Sequence, residues 1–162
     1  MLQSPKTSLY GLTLDELRNL CASHSLPRFA AGQIARWLYT QRVRDIDQMT
    51  NLSKASRAAL SENYSLGLTP PLKESCSVDG RKKYLFRNLQ GEYIESAYIP
   101  DGDRATLCVS SQAGCRMGCR FCASTLDGVE RGLTAGEMLS QIYAIQKDCG
   151  ERVHGTVLMG SG

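Results

Sequence analysis

Three of the seven cysteines fall within one short stretch, Gly114-Cys115-Arg116-Met117-Gly118-Cys119-Arg120-Phe121-Cys122. Their spacing is i, i+4, i+7, and three thiolates so close in sequence can grip one inorganic centre. The same spacing also lies on one face of a helix, where free cysteine packs as a small core residue. Gly114 and Gly118 oppose that alternative, because each costs about 1 kcal/mol relative to alanine inside a helix. Arg116, Arg120 and the preceding Ser110-Ser111-Gln112 suit an exposed loop better than a buried stripe.

The ligand count narrows the metal. A structural zinc takes four ligands, commonly two Cys-x-x-Cys pairs or cysteine with histidine. This stretch offers three, and the only histidines are His24 and His154. Zinc completed by Cys108 or His154 stays open as a non-catalytic, metal- or RNA-binding module. A cubane iron–sulfur cluster held by three cysteines instead leaves one iron open for a substrate or cofactor.

Two further residues could do chemistry. Glu95 is the only charge on the alternating face formed by Tyr93, Glu95, Ala97 and Ile99. Burial there would suit a general acid or base working near neutrality; an edge-strand charge that discourages aggregation is the alternative. Cys108 shares a face with Thr106 and Ser110 on a strand that leads into the cysteine loop. It either looks toward the site that the loop builds or is an inert core thiol.

Elements must position these groups. Thr13-Leu14-Asp15-Glu16 reads as a capping box, with Leu14, Leu17, Leu20 and Cys21 as a helical stripe to His24, which caps the end. A second helix starts at Pro27 and carries Phe29, Ile34, Trp37 and Leu38 to about Gln41. A third is capped by Ser53, carries Leu60 and Tyr64, and stops at Gly67. Residues 1–68 thus form a small helical domain, for which Arg28, Arg36, Arg42, Arg44, Lys54 and Arg57 could supply a nucleic-acid face. Thr69-Pro70-Pro71 breaks the helical pattern.

Beyond it the period becomes two. Lys73–Val78, Lys82–Arg87 and Glu92–Ile99 read as strands joined by Asp79-Gly80 and by Asn88-Leu89-Gln90-Gly91, a β-hairpin extension over 69–100. From 101 a turn leads to a strand over Arg104–Ser110, then the cysteine loop, in which Asp127-Gly128 and Arg131-Gly132 read as loop. Thr134-Ala135-Gly136-Glu137 is a second capping box, opening a helix with Met138, Leu139, Ile142 and Ile145 inward to about Gly150. Val153–Met159 reads as a buried strand. Strand, loop, helix and strand make one right-handed β-α-β unit, and the fold class is α+β.

Composition sets bounds. At 42% hydrophobic and 22% charged, the 162 residues are ordinary for a soluble domain. No run approaches the length of a membrane span, and the first residues lack the apolar core of a signal peptide. An odd number of cysteines without secretory context points to a reducing cytoplasm. Residues 1–70 hold eight Lys/Arg against five Asp/Glu, whereas 71–162 hold eleven of each, so the net charge of +3 lies in the first segment. That weakly favours an acidic partner such as nucleic acid.

The pattern C-x-x-x-C-x-x-C with an aromatic before the last cysteine resembles the radical S-adenosylmethionine (SAM) superfamily, in which the open iron chelates SAM. A closer resemblance rests on Cys108-Val109-Ser110-Ser111-Gln112-Ala113-Gly114-Cys115, Gly118-Cys119-Arg120-Phe121-Cys122-Ala123, Leu133-Thr134 and Met159-Gly160-Ser161-Gly162. These look like the bacterial radical SAM methyltransferases that methylate C2 of an adenine in 23S ribosomal RNA and in some tRNAs. Arg28-Phe29 and Trp37-Leu38-Tyr39 also fit. A sister group acts on C8 of the ribosomal adenine, and Ile99-Pro100-Asp101 with Arg104-Ala105-Thr106-Leu107 look more like the C2 enzymes.

That resemblance implies the start of a partial (β/α) barrel over 101–162, one 4Fe-4S cluster on Cys115, Cys119 and Cys122, and SAM near Phe121 and Gly162. It implies Glu95 as the acceptor of the C2 proton. It implies Cys108 as the resolving thiol that forms a disulfide with a methyl-carrying cysteine. The partners would be 23S rRNA and tRNA, bound by a cytoplasmic monomer without membrane association. The family continues beyond Gly162 into a Gly-Glu-Pro motif and, near its C-terminus, the carrier cysteine. Cys149 does not substitute, since it lies at the end of the first barrel helix. The 162 residues are therefore expected to be a truncated piece with an exposed sheet edge, unable to complete a methylation cycle alone.

Overall fold

The computed structural model describes residues 6–150 and 153–162. The chain divides into two compact units, 1–68 and 69–162.

The first unit holds β1 (Thr7–Ser8), α1 (Leu14–Ser23), α2 (Ala30–Ala35), α3 (Lys54–Asn63) and β2 (Tyr64–Ser65). Both halves of the capping box form at Thr13 and Glu16, and His24 is the C-cap of α1, as expected. Leu17, Leu20 and Cys21 are buried, whereas Leu14, expected in that stripe, is 42% exposed. The second helix is shorter than its apolar pattern predicts. It widens at Arg36–Thr40 into a π-helical turn closed by Gln41 N–H to Arg36 O at 3.0 Å. There the Tyr39 hydroxyl donates to Leu12 O and accepts from Gly11 N–H, so the extra residue in the turn coincides with an aromatic anchored to the preceding loop.

The third helix ends at Asn63 rather than Gly67, because Tyr64–Ser65 pairs in parallel with Thr7–Ser8. Two-residue strands are too short to show an alternation in sequence. Arg57, expected on the basic face, is only 16% exposed at its side chain and reaches Met49 O; Arg28, Arg36, Arg44 and Lys54 are exposed.

The second unit is built on a five-stranded sheet in the order β3 (Pro71–Cys76), β4 (Lys82–Arg87), β5 (Tyr93–Asp101), β6 (Arg104–Cys108), β9 (Gly155–Val157). The β3-β4-β5-β6 ladder is antiparallel, and β6 and β9 pair in parallel through α4 (Ala135–Cys149), the expected crossover. Gly80 and Gly91 take φ of 81° and 93° at the two hairpin turns, where L side chains are strained. Pro71 sits on the edge strand, where its missing N–H costs no ladder bond.

One face of this sheet is the core. Tyr84, Phe86, Ile94, Tyr98, Leu107 and Ile145 pack together there, with Met138 and Ile142 of α4 against them. The most buried line of α4 is Gly136, Ser140, Gln141 and Ile145, so two polar residues lie where only apolar ones were expected. The final strand is also corrected. It spans Gly155–Val157 and is an exposed edge rather than a buried strand, because it has a ladder partner only on the β6 side. No helix among the described residues is long and apolar enough to cross a membrane.

Candidate metal centre and the sheet face beside it

The cysteine loop grows out of the end of β6. It starts as β7 (Gln112–Gly114), which pairs antiparallel with β8 (Val129–Gly132). This small ribbon was missed by the sequence reading, which placed Arg131-Gly132 in a loop. Three residues give too little alternation, and the ribbon closes through backbone. Cys115 N–H donates to Gly128 O at 2.9 Å, Leu133 N–H donates to Ser111 O at 2.8 Å, and Gly114 takes φ 72°.

Between the two strands the chain folds on itself. Cys122 N–H donates to Cys119 O at 3.0 Å, and the Thr125 hydroxyl is directed at both Cys119 O and Cys122 O, at 3.2 and 2.9 Å. Gly118 supplies a second positive φ, 66°. Cys115 is buried and Cys119 and Cys122 half-buried; all three are free thiols. The chain is therefore a glycine-hinged loop, and the helical-stripe alternative is excluded.

Among the described residues no three His, Cys, Asp or Glu side chains converge tightly enough to hold a metal ion. The donor set itself fits a cluster, being three thiols with no histidine or carboxylate among them, two of them on turns outside regular structure. Drawing turn residues together is a small conformational change beside the roughly 10 kcal/mol or more by which thiolate-rich metal sites stabilise a fold. His154 is not a nearby fourth ligand: its Nδ1 accepts from Ala105 N–H at 3.2 Å, at the opposite end of β6 from the loop.

The tail lies against the start of the loop. Ser111 and Gln112 N–H both donate to Ser161 O, and Gly160 N–H to Val109 O. A side chain at Gly160 would sit 2.7 Å from Ser110 Oγ, so glycine is required for that approach. Gly162 is next to Ser111 and Gln112. Phe121, 94% exposed, stands out from the loop.

Glu95 and Cys108 fall on the sheet face opposite the core. Ala97 is the partner of Cys108 across β5 and β6, and Glu95 lies two residues from Ala97 on the same face. Such diagonal neighbours are about 7–8 Å apart. The burial that would fit Glu95 for acid–base work is not met within this chain. Its side chain is 49% exposed and 3.5 Å from Lys83 Nζ. Cys108 is half-buried rather than a core thiol.

Three positioning groups escaped the sequence reading. Gln141 is buried on α4; its Oε1 accepts from Ser96 Oγ at 2.6 Å and from Ser110 N–H at 2.9 Å, while its Nε2 donates to Ser110 O at 3.0 Å. Ser110 Oγ in turn donates to Glu95 O at 2.6 Å. The β6 ladder therefore ends at Cys108 rather than Ser110, because a side-chain amide takes both Ser110 backbone groups. The other two groups are Thr125 and Arg131. Arg131 bonds Glu92 Oε1 at 3.0 Å and both Glu137 oxygens at 2.6 and 2.9 Å, tying β8 to the β4–β5 turn and the start of α4.

Burial pushes the Glu137 carboxyl up, but the Arg131 guanidinium and the Thr134 N–H and hydroxyl outweigh it and hold the group down at about 2. A depressed folded value means this stabilisation is complete above the ordinary value of 4.5 and is lost as pH falls toward 2. We expect the urea midpoint to drop between pH 5 and about 2.5. Glu137→Gln should start lower at pH 7, by about 1–3 kcal/mol, and show a shallower acid loss. Parallel acid profiles for the two proteins would refute this.

Fold and loop together define a class. The chain matches the crystal structure of a radical SAM methyltransferase from Sphaerobacter thermophilus with a TM-score of 0.85 and 41% identity, covering 96% of this chain and 47% of that one. The fold is thus that of the N-terminal part of a radical SAM methyltransferase. Residues 7–66 match the model of the ribosomal RNA large subunit methyltransferase N-terminal domain. The probable dual-specificity RNA methyltransferase RlmN of Phocaeicola vulgatus is 48% identical over 99% of this chain and 46% of its own length. That of Clostridium novyi is 42% identical over 96% and 46%. By sequence the chain is similar to the N-terminal part of these RNA methyltransferases, and it spans just under half the length of the curated relatives it matches.

Proposed function

We propose that the chain is the N-terminal part of an enzyme that transfers a methyl group from SAM to C2 of adenine in 23S rRNA and in tRNA. One observation carries the reading: a glycine-hinged loop of three free thiols follows directly from the strand that bears Cys108, with Glu95 diagonal to Cys108 on the same face. Cys115, Cys119 and Cys122 would hold a 4Fe-4S cluster, with Phe121 and Gly162 beside SAM. When bound, the cluster and SAM supply the one-electron chemistry that C2 needs, since this electron-poor carbon has no lone pair with which to attack a methyl group.

The chain's own residues then have separable tasks. Glu95 accepts the C2 proton; its half-exposed carboxylate, one oxygen of which faces Lys83 Nζ, is within reach of a base laid on the sheet face. Cys108, as thiolate, attacks the sulfur of the methyl-carrying cysteine in the remainder of the protein. The S–S bond forms as the bond from that sulfur to the transferred carbon breaks, the electron pair of the broken bond passing into the adenine ring and a proton completing the carbon as a methyl group. Gln141 and Ser110 hold the strand ends that carry both groups.

Anaerobic reconstitution of the chain with iron and sulfide tests the reading. We expect about four irons per chain, a cluster spectrum that SAM perturbs, and loss of both in Cys119→Ala. Stoichiometric zinc with no cluster would refute it.

A further inference from the structure

Among the described residues of the second unit, the packed core lies on one side of the sheet. Tyr84, Phe86 and Tyr98 point into the core under α4. The register places Lys73 and Ser75 of β3, Lys83, Leu85 and Arg87 of β4, and Tyr93, Glu95 and Ala97 of β5 together on the other side. Lys73, Lys83, Arg87 and Tyr93 are all exposed there. Three cations thus surround one carboxylate, and Lys83 is itself 3.5 Å from that carboxylate.

Tyr93 is the informative residue. It is 57% exposed, in a strand whose other aromatic, Tyr98, is buried. Arg87, its cross-strand partner, holds its guanidinium 5.8 Å from the Tyr93 ring centre while Nε donates to Gly91 O. The guanidinium thus lies over one face of the ring, and the pair sits at the rim of the sheet. It lies one step along β5 from Glu95.

We infer that this open face, with Tyr93 and Arg87 as a stacking platform and Lys73 and Lys83 as phosphate contacts, binds a single-stranded RNA segment and delivers its base toward Glu95. The inference rests on the proposed reading of the enzyme and adds the surface by which its RNA is held. Exposed aromatics on a sheet, flanked by cations, match unstacked bases with their phosphates; a base inside a duplex presents no free π-face. An acidic peptide would use the lysines but has no need of the ring.

The test measures fluorescence anisotropy of a short single-stranded RNA on the 162-residue chain, with 2-aminopurine replacing one adenine to report stacking. Tyr93→Ala should weaken binding about tenfold and abolish the quenching of 2-aminopurine, while Tyr93→Phe retains both. Lys73→Gln with Lys83→Gln should flatten the slope of log K against log salt by about 1.4 for two lost phosphate contacts. Tyr93 is exposed, so an unchanged thermal midpoint in Tyr93→Ala confirms that folding is not at issue; the Phe variant decides if it shifts.

Three results would overturn the inference. One is wild-type affinity weaker than about 100 μM, the weak end of non-specific nucleic-acid binding. Another is RNA binding indifferent to Tyr93. The third is polyglutamate competing through the lysines alone. Cluster loading, read by absorbance on the same variants, is independent of all three. It therefore separates a failure of this surface from a failure of the radical SAM reading.

Discussion

Gly114→Ala is expected to detach the cysteine loop from β8 and to prevent cluster loading, at a cost of about 3–5 kcal/mol to the second unit. Two separate effects add. At φ 72° an alanine occupies a left-handed conformation that costs about 1–2 kcal/mol. Its Cβ would also fall against the Gly128 carbonyl oxygen, far inside van der Waals contact, and 3.2 Å from Val129 Cα. Both are backbone atoms, at and just before the start of the partner strand, and cannot rotate away. Gly128 O is the acceptor for Cys115 N–H, so relieving the overlap breaks the bond that fixes Cys115, leaving a buried donor unsatisfied.

Gly118→Ala supplies the control within the same loop. Its φ of 66° is comparable, but a Cβ there meets nothing within 4 Å. Only the conformational cost of about 1–2 kcal/mol applies. Urea midpoints and iron content after reconstitution should therefore separate the two alanines by at least about 2 kcal/mol, with iron lost at 114 and substantially retained at 118. Equal losses would show that positive φ alone matters and that the Gly114–Gly128 approach has no special role.

The parts legible in the sequence were those written in local chemistry. Both capping boxes, the two glycine turns and the β-α-β order came from neighbours within a few residues, and the structure reproduces them. The cysteine motif was legible for the same reason: its glycines break a helix wherever the rest of the chain lies. The β7–β8 ribbon and the β1–β2 pair depend instead on backbone partners well separated in sequence. Gln141 and Arg131 escaped for a related reason. A polar residue, whether Gln141 in a helix stripe or Arg131 in a short strand, reads as a surface position until its partners, Ser96 and Ser110 or Glu92 and Glu137, are brought to it.

Glu95 shows where alternation misleads. Tyr93, Ala97 and Ile99 made its face look apolar, whereas the buried set is Ile94, Ser96 and Tyr98. Ser96 is tolerated inside because its hydroxyl donates a hydrogen bond to Gln141 Oε1. The face that Glu95 shares with Tyr93 and Ala97 also carries Lys73, Lys83 and Arg87 from the neighbouring strands, which alternation within β5 alone does not reveal.

Gln141→Leu carries the other large effect. Leucine fills nearly the same volume but removes one acceptor and one donor, orphaning Ser110 N–H, Ser110 C=O and the Ser96 hydroxyl in a site that excludes water. Each buried unsatisfied group costs about 1–3 kcal/mol, so a loss of about 3–5 kcal/mol is expected despite the gain in apolar character. Ser96→Ala, which leaves Gln141 with its Ser110 bonds, should cost about 1 kcal/mol. Adding it to Gln141→Leu should cost nothing further or restore stability, because the orphaned hydroxyl is gone. Strict additivity of the two would mean the amide does not couple them. The network also reaches Glu95 through Ser110 Oγ. Gln141→Leu should therefore weaken the 2-aminopurine quenching at Tyr93 less than Tyr93→Ala does, while lowering the midpoint far more: a helix residue that positions the strand ends, as opposed to one that touches the base.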